Sequence, residues 1–186
     1  MRTWAIVSAA TAPVVLIGGW TWAQTRQPAG FDPMTDTISA LAAQGAQDRW
    51  IMTAGLFVLG LCHLATAAGL PECRRWGRLL LALGGAATIV VAASPQPAAT
   101  HSPAAAVAFV ALALWPAFSG LPRPAVGTAA TVVLLVLLGW LGVAIRGGDF
   151  LGLSERLLAG AQALWPLIVV VAVAVSERKH GALRPV

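Results

Sequence analysis

The chain has 186 residues, of which 58% are apolar and 10% charged. A soluble domain carries about 25% charge, so a water-soluble enzyme is excluded, and two cysteines with sparse charge also exclude disulfide-scaffold and disordered classes. What remains is an all-α polytopic membrane protein, with residues 1–186 as a single membrane domain.

Five windows between charged residues are long: Thr3 to Thr25 (23 residues), Trp50 to Pro71 (22), Leu79 to Pro122 (44), Pro124 to Ile145 (22) and Leu157 to Ser176 (20). About 20 helical residues cross a bilayer core of about 30 Å, so four windows are single spans and the 44-residue window is two. The break in the long window is Ser94-Pro95-Gln96-Pro97-Ala98-Ala99-Thr100-His101-Ser102-Pro103, whose prolines and polar groups cannot continue a helix in lipid. A six-transmembrane-helix bundle results, with spans near 4–23, 49–70, 78–94, 103–121, 125–145 and 155–176.

The first span, Trp4 to Ala23, is longer than an ordinary signal-peptide core and ends in bulky Trp20 and Trp22, so it reads as a retained helix. After it comes a long connection, Gln24 to Asp48, in which Asp32-Pro33 has the form of an N-cap followed by N1 and Gly45 that of a stop. A short interfacial helix over about 33–44 is predicted there, with Met34, Ile38 and Leu41 on one face. Asp48-Arg49-Trp50 opens the second span with another capping acid beside an interfacial anchor, and Trp4, Trp76 and Trp140 are further belt residues. Ala113-Leu114-Trp115-Pro116 in the fourth span recurs as Ala163-Leu164-Trp165-Pro166 in the sixth, either a parallel duplication or a coincidence of composition. Each proline frees the carbonyl four residues earlier, at Leu112 and Gln162.

With the amino terminus cytoplasmic, the inner segments hold eight basic and two acidic residues, and the outer ones four basic and five acidic, or net +6 against −1. That obeys the positive-inside rule and places both termini, and the tail 177–186, in the cytoplasm. The high isoelectric point is therefore a topology signal. No basic stripe with interleaved aromatics is present, so nucleic acid is not an expected partner.

Phe31-Asp32-Pro33 through Ile38-Ser39, Arg49-Trp50-Ile51-Met52 at the start of the second span, Gly60-Leu61-Cys62-His63 within it, and His101 resemble the bacterial membrane family called domain of unknown function 998. The resemblance runs over nearly the whole chain and is sharpest between Phe31 and Leu70. It implies a six-helix integral membrane protein and brings no established activity. Eleven arginines against one lysine, with abundant alanine, suit a GC-rich bacterial genome, and the expected location is the bacterial cytoplasmic membrane.

His63 is the one formally ionisable side chain, cysteine aside, inside the first five spans. An intramembrane histidine is a functional candidate; the alternative is a neutral imidazole bonded to a neighbouring helix, near Thr66 one turn on. Gln162 in the sixth span poses the same choice. His101 in the Pro-rich outer connection is a candidate acid or base beside Asp32, Asp36 or Asp149, if the three outer connections cluster. Capping is the competing role for Asp32 and Asp48, and Ser39 lacks a nucleophile elbow. Metal and haem are not expected: Cys62 and His63 diverge by about 100° on one helix, no Cys-x-x-Cys spacing exists, and His63 and His101 lie at different depths.

The span interiors offer no carboxylate, lysine or arginine, which speaks against a proton pump or ion channel. Two functions survive. One is a non-catalytic membrane protein that binds a lipid, another hydrophobic molecule or a membrane partner. The other is a membrane-embedded enzyme acting at the outer leaflet on a lipid or isoprenoid-like substrate. In the enzyme, Asp32, Asp36 and His101 would be the catalytic acid–base residues, with Ser39, Arg49, His63, Asp149 and Gln162 as binding groups.

Overall fold

The computed structural model describes residues 2–120 and 124–182, with side chains as far as 176. Seven helices occur among them: α1 (Thr3–Gln24), α2 (Ile38–Leu41), α3 (Trp50–Gly69), α4 (Arg75–Ala93), α5 (His101–Phe118), α6 (Pro124–Ile145) and α7 (Leu151–Ala182). Six are long and apolar enough to cross a membrane, and no strand is present among the described residues. The chain is an all-helical, multi-pass integral membrane protein. Arg123 and residues 183–186 of the tail lie outside the described residues, and the backbone of the tail is helical as far as Ala182.

The long helices form a closed ring. Each packs on its neighbour in sequence, α1 on α3, α3 on α4, α4 on α5, α5 on α6 and α6 on α7, and α7 returns to α1. Small residues let the backbones approach, which is how helices associate when lipid removes any hydrophobic incentive to do so. At the crossing of α3 and α4 glycines face each other: a Cβ on Gly60 would lie 2.6 Å from the Gly85 carbonyl oxygen, and one on Gly85 would lie 2.8 Å from that of Gly60. Many large apolar side chains point outward, among them Val14, Phe57, Val90, Val110, Val136 and Ile168. Such a surface suits hydrocarbon and would aggregate in water. Trp22 and Trp50 meet edge to face at 5.5 Å near one end of the ring, and exposed Trp4 and Trp76 stand at the other.

α7 starts four residues earlier than the predicted sixth span and α5 two earlier than the predicted fourth. Leu151, Gly152 and Leu153 extend the apolar helix backward through Ser154, Glu155 and Arg156, so these charges sit a full turn inside the helix and not at its first residues. At the opposite end Arg78, one turn into α4, donates from Nε to the Ala67 carbonyl at 2.8 Å and satisfies one of the last carbonyls of α3.

The connection 25–49 crosses one end of the ring. Its helix is shorter than the predicted 33–44, and its N-cap is Thr37, whose hydroxyl accepts the Ala40 N–H at 3.0 Å. Asp32 closes a separate turn: its Oδ1 accepts the Met34 N–H at 2.9 Å, while Asp36 Oδ2 accepts the Asp32 N–H at 2.8 Å. Two local carboxylate bonds therefore end the Asp-Pro turn before a helix can propagate from it. Asp48 is likewise not a side-chain cap. Its backbone is left-handed, with φ 50°, and its carboxylate pairs with Arg26 at 2.8 Å, both partly exposed. Exposed pairs of this kind contribute about 0–1 kcal/mol.

Candidate functional site

α2 and the turn before it are seated on the first turns of α7. The Glu155 carboxylate accepts the Ile38 N–H and, at 3.1 Å, the Ser39 hydroxyl. Arg156 donates from one nitrogen to the carbonyls of Asp36 (2.6 Å), Pro33 (2.8 Å) and Gly152 (3.0 Å). The Leu153 N–H donates to the Met34 carbonyl at 3.1 Å. Gly152 makes the approach possible, because a Cβ there would stand 2.3 Å from the Asp36 carbonyl oxygen. Adjacent residues of α7 thus grip the loop by opposite means, the acid through its donors and the base through its acceptors.

Beneath this seat the ring encloses a cavity of about 50 Å³. Glu155, Ala159 and Gln162 reach it from α7 at helical spacing i, i+4, i+7, and Leu56, Leu59 and His63 from α3 at i, i+3, i+7. Ser39, Thr88 and Phe109 add walls from α2, α4 and α5. Ten lining side chains are apolar and five polar, the mixture typical of small-molecule sites. His63 and Gln162 are each 1% exposed. Gln162 donates to the Phe109 carbonyl at 2.8 Å, which leaves its Oε1 without a partner, and neither ring nitrogen of His63 has one. Thr66 does not serve His63, since its hydroxyl is bonded to that of Ser8 at 2.8 Å. Buried polar atoms without partners are costly and uncommon, so a cavity that collects them is a place for water or a polar ligand group.

The sequence candidates therefore fall into two sets. Ser39, His63 and Gln162 come together around the cavity. Asp32 and Asp36 come together in the exposed turn, while Asp149 is exposed at the α6–α7 connection and Arg49 sits half-buried at the start of α3. His101 is not a loop residue. It opens α5, is 3% exposed, and donates from Nδ1 to the Ser94 carbonyl at 2.8 Å, a bond that ties the Pro-rich connection to the helix. Among the described residues no hydrogen bond joins His101 or Asp149 to Asp32 or Asp36.

Glu155 is the residue that sequence reasoning missed. The premise that span interiors hold no carboxylate fails, because Glu155 is 6% exposed and lines the cavity. The signal available for it was the apolar run Phe150 to Leu153 ahead of Ser154, which carries the helical phase past the charges. Among the described residues no cluster of three metal-ligating side chains occurs.

No curated protein and no solved structure matches the chain. Residues 8–172 match the model of a family described as protein of unknown function (DUF998). That stretch takes in α3 to α6 whole, most of α1 and α7, and both partners of the Glu155–Ser39 contact, and the chain belongs to this family.

Proposed function

We propose that the protein binds a small hydrophobic or amphipathic molecule inside the ring of helices, with the polar end of that molecule at the Glu155–Ser39 seat. The observation that carries this reading is the cavity itself, apolar over most of its wall and furnished with unpartnered polar atoms of His63 and Gln162. Its size limits what enters it. A dry engineered cavity of about 150 Å³ holds one benzene, so about 50 Å³ holds the head of a ligand or a few waters, and an acyl chain would have to lie elsewhere. The catalytic reading of Asp32, Asp36 and His101 draws no comparable support, because each of those groups has a local hydrogen bond that accounts for it.

Filling the cavity tests the proposal. Ala108→Leu and Ala159→Leu add volume on two of its walls, and both variants are expected to insert and melt within a few degrees of the wild type. Native mass spectrometry of the wild type released from membranes is expected to show a co-purified small molecule that both variants lose. Retention of the same molecule by both would refute binding at this site.

We further propose residence in a bacterial cytoplasmic membrane with both termini inside, supported by eight of twelve basic residues on the side of the termini. Cysteine labelling can read this cleanly, since Cys62 and Cys73 are both buried. Burial, helped by the charge of Glu72 and opposed by Arg78, pushes the Cys73 thiol up to about 11. Asp149→Cys is expected to react with an impermeant maleimide in intact cells, and Arg75→Cys only after permeabilisation. The reverse pattern would invert the topology.

A further inference from the structure

The polar groups of the cavity are unequal in kind, and this specifies the ligand further; the step rests on the binding reading above. Ser39 spends its proton on Glu155, and Thr88 spends its own on the Gly84 carbonyl at 2.8 Å. Gln162 spends an amide proton on Phe109. What these residues have left is acceptor capacity: Oε1 of Gln162, the oxygens of Ser39 and Thr88, and the remaining lone pairs of the carboxylate, which has about four and uses two. Neutral His63 adds one acceptor and one donor, and the second amide proton of Gln162 is the other donor left, so acceptors outnumber donors around the cavity. Arg156, next to Glu155 in the chain, is not in the cavity wall; its bonded nitrogen faces the carbonyls of residues 33, 36 and 152, and its other two guanidinium nitrogens are buried outside that wall. A buried carboxylate among spare acceptors is complementary to a group that carries positive charge and several N–H donors.

We propose that the group held against Glu155 is a protonated amine, the small cationic head of an amphipathic molecule. A head of a few heavy atoms fits the volume, and its N–H groups reach the acceptors of Glu155 and Gln162 that protein donors leave open.

The test uses the full chain in phosphatidylglycerol nanodiscs, with n-butylammonium, n-butanol and n-butyrate as probes of matched length and the melting temperature as readout. Butylammonium is expected to raise the melting temperature with a half-saturating concentration at least ten-fold below that of butanol, and butyrate to have no effect. Glu155→Gln is expected to abolish the response to butylammonium. Should that variant fail to fold, Ala159→Leu decides, because it occludes the space beside the carboxylate and leaves the Ile38 and Ser39 bonds in place. Equal potency of butanol, or full response to butylammonium in the variant that folds, overturns the amine. If none of the probes binds while the wild type still yields a co-purified molecule that the cavity-filling variants lose, the amine head is wrong and the binding site stands. Adding phosphatidylethanolamine to the discs assigns the source: competition with butylammonium identifies a lipid head, and its absence a soluble amine, either result retaining the amine class.

Discussion

Glu155→Leu is expected to destabilise the protein by about 2–5 kcal/mol and to release the connection 25–49 from the end of the ring. The substitution removes the acceptor of two buried donors at once, the Ile38 N–H and the Ser39 hydroxyl, and each donor left without a partner costs about 1–3 kcal/mol. Leucine satisfies neither. Glu155→Gln retains one acceptor oxygen and is expected to lose roughly half as much. The spatial pattern of the loss distinguishes the seat from a general effect on folding. In hydrogen exchange, the Ile38, Ser39 and Ala40 amides are expected to lose protection in Glu155→Leu, while amides at the middle of α3 and α4 keep theirs. Uniform loss along all helices would mean that Glu155 supports the ring as a whole. Ser39→Ala removes one donor and leaves the acceptor occupied by Ile38, and is expected to cost about 1 kcal/mol.

The second large effect is expected at the crossing of α3 and α4. Gly60→Val and Gly85→Val each drive side-chain atoms into the carbonyl of the facing glycine, and at Gly60 also into Ile89, whose Cγ1 lies 2.6 Å from the position of an added Cβ. Backbone atoms on both sides leave no flexible tip to yield, so the helices must separate. Overpacking in a tight core costs about 1–3 kcal/mol, and two blocked backbones place each variant at or above the upper end of that range. The two substitutions share one contact, so Gly60→Val with Gly85→Val is expected to cost less than their sum. Reversible unfolding in mixed detergent checks this. Additive losses would show that the glycines act separately.

Six spans were legible in the sequence because uncharged length alone identifies them, and the ring keeps sequence neighbours adjacent in space. What escaped was written in contacts between distant residues. Taking charges as span boundaries put Glu155 and Arg156 at the very start of the sixth helix, where they read as end charges; their partners at residues 33–39 lie about 120 positions away and no local pattern announces them. The Asp32-Pro33 signal pointed to a helix of twelve residues, whereas Asp36 turns back on the Asp32 amide and Thr37 does the capping. Thr37 ahead of an apolar Ile38 was a usable cap signal and lost to the stronger proline motif. Ser39, His63 and Gln162 were identifiable as polar residues in apolar surroundings; that they face one cavity depends on the closure of α7 onto α1.

That closure has a consequence for how the molecule is made. The helix that completes the ring comes after the other five in the order of synthesis, and it brings Glu155, Arg156 and Gln162 with it. For as long as the ribosome is still translating α4, α5 and α6, the segment 33–39 has no acid or base to dock on, and the interior wall that carries His63 and Thr88 stands open along one side. Until α7 follows, the other five long helices leave that polar seam unsealed, and its closure waits on the sixth.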